Sequence, residues 1–297
     1  MDKKESFELG IVFMIISATA LAFTGFLGQL GMKDFYIPAM IFWRFIAAFI
    51  LYGVYLAIRR ELKHLWPVRH LWIHLARAFF ILTAQYTFYY YIQKTNLLNA
   101  VVLLNTGPLF IPLVEWGLLR NKIGKSTWIS IGVAFVGVLC VLQPHTGIFS
   151  YSSFIGLSAG VCQAFSQVLL GRNVTKEKET TSILYLFFFC LLFSTGPYIY
   201  FHKLGLVGNH LGWTPLWLVL GLGVASIFNQ TTRAMAYKHG GPSKLSPFLY
   251  FSVLVAGILD WVVFHITPNL LAGFGAGVII VGGVLKVILR YKAQPKV

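Results

Sequence analysis

The chain has 297 residues, 57% hydrophobic and 11% charged, with a net charge of +15. An ordinary soluble domain carries roughly a quarter charged residues, so a water-soluble globule is excluded. A hydrocarbon span takes roughly 20 apolar residues; the sequence offers ten such segments, which leaves no sizeable soluble domain and predicts an all-α polytopic membrane protein.

In chain order, the first span is expected over 10–31, with Ser17, Thr24 and Gly28 on one side. It is too long, and lacks the small-residue exit, for a cleaved signal peptide. The second, 36–57, carries Trp43 and Arg44; the third, 70–92, carries His70, His74, Arg77 and Gln85 and ends in a run of aromatics from Tyr86 to Tyr91. Phe88 and Tyr91 share the arc of Arg77, whereas Tyr86 points away. Span four, 97–119, places Asn105, Pro108, Pro112 and Glu115 on one face, and span five, 126–143, holds Gly132 and Gly137. In span six, 154–171, Gln163, Ser166 and Gln167 cluster; span seven, 182–201, is almost purely apolar. Span eight, 215–237, gathers Ser226, Asn229, Gln230, Arg233 and Tyr237 within about 100° of arc at about 100° per residue. Span nine, 244–264, aligns Ser246, Tyr250, Gly257 and Asp260, and span ten is 270–290.

Lys and Arg then alternate between loops, 17 on the side of both termini against Lys33, Lys94 and Lys203 on the other, with Arg44, Arg77, Arg233 and Lys286 inside spans. By the positive-inside rule both termini are cytoplasmic. The basic residues form no patch separable from these loops, so nucleic-acid binding is not indicated.

Sliding the chain against itself gives an ungapped match at a shift of 145 residues: Leu71-Trp72 returns as Leu216-Trp217, Gln85 as Gln230, Glu115 as Asp260, Trp116 as Trp261 and Val136-Gly137 as Val281-Gly282. A weaker echo sets Ala22-Phe23-Thr24 against Ala164-Phe165-Ser166. Five spans separate mates, an odd number, so the halves, 1–145 and 146–297, must be inverted repeats, a transporter architecture.

Ten spans in two five-helix repeats, with Trp43-Arg44-Phe45, Thr106-Gly107-Pro108-Leu109-Phe110 and Gly132-x4-Gly137, resemble the EamA-type members of the drug/metabolite transporter superfamily. The resemblance covers nearly the whole chain and implies a secondary transporter of small metabolites in a bacterial inner membrane, exporting more often than importing. One departure matters. The family often has a Glu soon after the fourth span, where this chain reads Leu119-Arg120-Asn121-Lys122, and the second-half counterpart is Ile266. That acid's role does not carry over.

Glu115 and Asp260 are the two acids within spans, each costly there unless paired or hydrated. At 1.5 Å per residue Glu115 lies about 6 Å from the cytoplasmic end with Arg233 at about the same depth and Arg77 about 10 Å in, while Asp260 lies about 6 Å from the outer end with Arg44 about 12 Å deep. These groups read either as static ion pairs or as gates or proton-coupling sites. Substrate-binding candidates near the middle are Arg44, Trp43, Gln85, Asn105, Asn229, Gln230 and Tyr250. Pro108, Pro112 and Pro247 each remove a backbone donor, so spans four and nine should bend or open. Gly156-x3-Gly160 and Gly273-x3-Gly277 allow close packing, expected within the bundle, with a homodimer as the other use.

Cys140, Cys162 and Cys190 lack CxxC spacing and read as core residues; His70-x3-His74 lacks a third ligand. No nucleotide, nucleophile or paired-acid signature appears, so neither an enzyme nor a cofactor is expected. Arg44, Arg77 and Arg233 against Glu115 and Asp260 make the cavity +1. That favours an amino acid or related carboxylate, carried by alternating access with a proton or counter-substrate as partner. The rival is an organic cation such as choline, held by an aromatic cage and one acid.

Overall fold

The computed structural model describes residues 3–32, 34–61, 70–94, 103–142, 153–205, 213–265 and 269–292. It contains α1 (Lys3–Gly31), α2 (Ile37–Ile58), α3 (Leu71–Lys94), α4 (Gly107–Leu119), α5 (Lys125–Leu142), α6 (Ser153–Asn173), α7 (Glu179–Lys203), α8 (Trp213–His239), α9 (Pro242–Leu245), a 3-10 stretch (Ser246–Tyr250), α10 (Phe251–Phe264) and α11 (Leu270–Lys292). These are the ten expected spans, with α9, the 3-10 stretch and α10 making up the ninth. In hydrocarbon every backbone N–H must find its partner within the segment, so each apolar run becomes a helix.

The polarity is inverted relative to a soluble protein. Trp72, Phe154 and Leu270 are highly exposed, while Arg77 and Arg233 are fully buried. Of the long helices, α3, α6 and α8 are the least apolar. They are tolerated in a membrane because their polar faces turn toward one another.

Helix packing follows the repeat. Contacts of α1 with α8 have their mate in α3 with α6, those of α2 with α8 in α3 with α7, and those of α4 with α6 in α1 with α10. The pairs α2 with α7 and α5 with α11 are their own mates. This pattern is what two inverted five-helix repeats about a pseudo-twofold axis produce. At the α5–α11 crossing a Cβ on Gly137 would stand 2.7 Å from the Gly275 carbonyl oxygen, and one on its mate Gly282 would stand 2.7 Å from the Ala134 Cβ. Only hydrogen fits at either position.

Both proline-bearing spans are interrupted as expected. Residues 103–104 are helical, Asn105 and Thr106 form a turn, and α4 then starts with Pro108 in its first turn. Thr106 Oγ1 donates to the Leu103 carbonyl at 2.6 Å, and the turn nests on α6 at Gly160, where a Cβ would lie 2.5 Å from that hydroxyl. Gly156 is likewise packed, against Leu103 and Tyr91. By contrast Gly273 and Gly277 have open space where a Cβ would stand, so the second glycine motif does not pack within the bundle. In span nine Pro247 lies in the 3-10 stretch.

Candidate functional site

Where the polar faces of α3, α6 and α8 meet, they enclose a void of about 10 Å³, the room of one water. Its walls are Arg77 and Ile81 from α3, Gln163, Ser166, Gln167 and Leu170 from α6, and Gln230 and Arg233 from α8. Arg77 donates Nη1 to the Ser182 hydroxyl at 2.7 Å and to the Ser182 carbonyl at 3.3 Å, and Nη2 to Gln230 Oε1 at 3.5 Å. Its Nε has no partner among the described residues. Arg233 donates Nε to Ser17 Oγ at 3.1 Å, and its Nη2 is likewise buried and unpartnered. Among the described residues every acceptor on these two guanidiniums is neutral.

A second polar group lies farther from the termini. Arg44 of α2 donates Nη1 to Gln85 Oε1 and Nε to Ser226 Oγ, both at 2.8 Å, and packs over the Phe45 ring at 5.4 Å. Gln85 is eight residues beyond Arg77 on α3, so the two groups are about 12 Å apart along that helix. The structure thus brings together Arg44 and Gln85, and separately Arg77, Gln230 and Arg233.

The remaining expected substrate residues go elsewhere. Asn229 staples α8 to α1: its Nδ2 donates to the Ser17 carbonyl at 2.9 Å while Ser17 Oγ donates to the Asn229 carbonyl at 3.1 Å. Tyr250 is buried between α5, α10 and α11 beside Phe135, Val253 and Ile279. Trp43 packs edge-on against Tyr198, on which Phe42 stacks at 4.2 Å. Asn105 lies in the turn before α4. In the aromatic run of α3, Tyr91 is buried and Tyr90 exposed, while Tyr86 is half-buried rather than turned out.

Near the termini side, Glu115 finds partners other than basic side chains. Its Oε2 accepts from the Ser243 backbone N–H at 3.0 Å and from the Ser243 hydroxyl, and its Oε1 accepts from Asn121 Nδ2 at 3.0 Å. A carboxylate at the first turn of α9 meets the free N–H groups and positive end of that turn. Asp260 is on α10, but its side chain falls outside the described residues.

Five further contacts were not anticipated. His74 Nε2 meets Glu177 Oε2 at 2.9 Å with both buried, and Asn173 Nδ2 donates to Glu177 at 3.2 Å and to Ser182 Oγ at 3.1 Å. Lys238 pairs with Glu179, and the Tyr237 hydroxyl donates to Gln167. Glu177 and Glu179 sit at a loop and a helix start, where nothing in the sequence marks a carboxylate as buried. Among the described residues no three of His, Cys, Asp and Glu converge as a metal site would require. The chemistry the arrangement offers is hydrogen bonding and positive charge.

Comparison with known proteins adds to this geometry. The model of the EamA-like transporter family matches residues 8–143 and again 151–288. The chain is 24% identical over 277 residues to a riboflavin transporter of Vibrio cholerae serotype O1, covering 91% of this chain and 90% of that one. It is 23% identical over 207 residues, 68% of each chain, to an uncharacterized transporter of Helicobacter pylori. One solved crystal structure superposes with a TM-score of 0.75 at 15% identity, covering 99% of this chain and 100% of the other, a likeness of fold.

Proposed function

The chain belongs to the EamA-like transporter family, within the drug/metabolite transporter superfamily, and on that premise we propose that it is a secondary active transporter of a small metabolite working by alternating access. Supporting this reading above all, Gln85 and Gln230, mates at the 145-residue shift, each accept a hydrogen bond from an arginine within the spans, half-buried Arg44 and fully buried Arg77, and both arginines also meet a serine of the second half. Buried amides and guanidiniums in a bilayer are expensive to maintain for packing alone. Inverted halves around a mid-depth polar site are the working parts of alternating access.

The cargo is an amino acid or related carboxylate-bearing metabolite, moved by export or exchange across a bacterial inner membrane with both termini in the cytoplasm. Lys and Arg loop charge supports that orientation. Glu115, Asp260, Arg77 and Arg233 govern gating or proton coupling. A second reading, a flavin, is favoured by the name of the Vibrio relative. Its ring carbonyls would accept from an arginine such as Arg44 without needing a negative charge.

Counterflow into proteoliposomes preloaded with a metabolite mixture, read by mass spectrometry, tests the proposal. Trans-stimulated uptake of amino acids or other carboxylates is expected. Trans-stimulated uptake of riboflavin would select the second reading, and of choline would select a cation carrier. Flux without trans-stimulation, or a chemically altered product, would overturn the transporter reading itself.

A further inference from the structure

Arg77 and Arg233 line one void, are fully buried, and each keeps an N–H with no acceptor among the described residues, Nε on the first and Nη2 on the second. The acceptors they do have are Ser182, Gln230 and Ser17, all neutral. The ion pairs among the described residues join Arg59 to Glu61, His74 to Glu177 and Lys238 to Glu179, and none reaches these two guanidiniums. Glu115, the acid of neighbouring α4, is held by Ser243 and Asn121. Arg44 is different, since it is only half-buried and its Nε and Nη1 already meet Ser226 and Gln85. Two buried positive charges side by side, uncompensated, are strongly unfavourable unless an anion joins them. A guanidinium fork matches the two oxygens of a carboxylate.

We infer that the void between α3, α6 and α8 is an anion site that takes the carboxylate of an organic acid between Arg77 and Arg233, with Gln163, Gln167 and Gln230 as its polar rim. This deepens the transporter reading by naming the group its cargo carries, and rests on that reading for its role in transport. At about 10 Å³ the void holds one water, so the site is contracted and must widen to admit a carboxylate. The site lies about 12 Å along α3 from Gln85. It is therefore a station separate from the Arg44 group, toward the termini-side mouth, and a small acid passing through meets one arginine group and then the other.

The test uses the full chain in nanodiscs of neutral lipid and low-salt buffer, titrated with acetate, lactate, glutamate, chloride and inorganic phosphate, with acetamide as the uncharged control. Thermal unfolding is the readout, since a ligand of the folded state raises its midpoint with concentration. At least one carboxylate should raise the midpoint saturably, with acetamide inert and chloride and phosphate at least tenfold weaker. Arg77→Gln and Arg233→Gln should each weaken the carboxylate effect tenfold or more, and Ser166→Val should do so by filling the void with both charges kept. Should the glutamine variants not fold, Arg77→Lys, which keeps the charge without the fork, and Ser166→Val decide the matter through the same loss. No carboxylate effect in the parent protein, an undiminished effect in the variants that fold, or chloride or phosphate matching the carboxylates would overturn the inference. Counterflow on the same samples separates the two claims: transport without the anion effect sinks this site alone, while the anion effect without transport sinks the transporter reading and leaves the site.

Discussion

The two ends of the bundle are held together by different chemistry. On the termini side the helices are tied by directional polar contacts: Glu115 to Ser243, His74 and Asn173 to Glu177, Lys238 to Glu179, Tyr237 to Gln167 and Ser6 to His239. Toward the other side, the described contacts between α2 and α7 are rings: Phe42 and Trp43 on Tyr198, and Tyr36 on Phe201 at 5.6 Å. A hydrogen-bonded carboxylate is either made or broken, whereas stacked rings can slide with small changes in energy. On the alternating-access proposal, the termini-side mouth would switch in discrete steps and the far mouth would yield gradually.

The contrast can be broken most directly at Glu115. Glu115→Ala removes an acceptor of three hydrogen bonds and strands both the N–H and the hydroxyl of buried Ser243, and should cost about 1–3 kcal/mol of stability for each stranded donor. It should also speed labelling of a cysteine placed at Gly241. The check is thermal unfolding together with maleimide labelling from the termini side; unchanged labelling would show that the contact does not hold that mouth.

A lesser loss is expected at His74. His74→Ala leaves Glu177 with Asn173 as its described side-chain partner, and should destabilise by about 1–3 kcal/mol, the penalty of a buried polar group deprived of a hydrogen bond. Asn173→Ala, made alone and with His74→Ala, should not add, because both act on one carboxylate. Strict additivity in unfolding midpoints would mean the network is a set of independent contacts.

Gly137→Val and Gly282→Val test the part that the two ends share. Each forces atoms into a gap of 2.7 Å, and each should cost about 1–3 kcal/mol through overpacking. Equal effects at the two mates would sharpen the symmetry, and a harmless substitution at either would deny the tight crossing.

At the far mouth, Tyr198→Leu keeps an apolar side chain and removes ring pairing with Phe42, a change of about 0.5–1.5 kcal/mol. Its effect should be read as faster labelling of a cysteine at Phe201 with the termini-side rates untouched. The smallest effect belongs to Lys238→Ala, since its pairing with Glu179 is partly exposed and worth about 0.2–1 kcal/mol.

What could be read in advance follows the physics of each feature. All ten spans were legible because lipid leaves helices as the only outcome for such runs, and the repeat was legible because inverted mates keep the same side chains. Arg44 and Gln85 were both legible as polar groups deep in their spans, but their pairing was not, because the sequence set Gln85 beside its mate Gln230. Tyr250 was not. Its face was assigned at about 100° per residue, but residues 246–250 wind as a 3-10 helix at about 120°. Four such steps turn the side chain by roughly 80° away from the expected face. Glu115 was read correctly as a buried acid in need of a partner, yet a backbone N–H at Ser243 has no signature in a sequence. Asn229 looked like a cavity amide because a helix wheel cannot tell a polar face that meets water from one that meets Ser17.

The pairing of mates across the pseudo-twofold axis has an energetic corollary. Were the halves identical, the arrangement open to one side and its mirror open to the other would be exactly degenerate, and the resting population would be split evenly. The halves differ where the polar ties sit: at the 145-residue shift, His74 corresponds to Val219 and Arg77 to Leu222. Each such mismatch lifts the degeneracy, so on the alternating-access proposal the side-chain differences between repeats, and not the shared backbone plan, set which way an unloaded carrier faces and how much free energy its cargo must supply to turn it around.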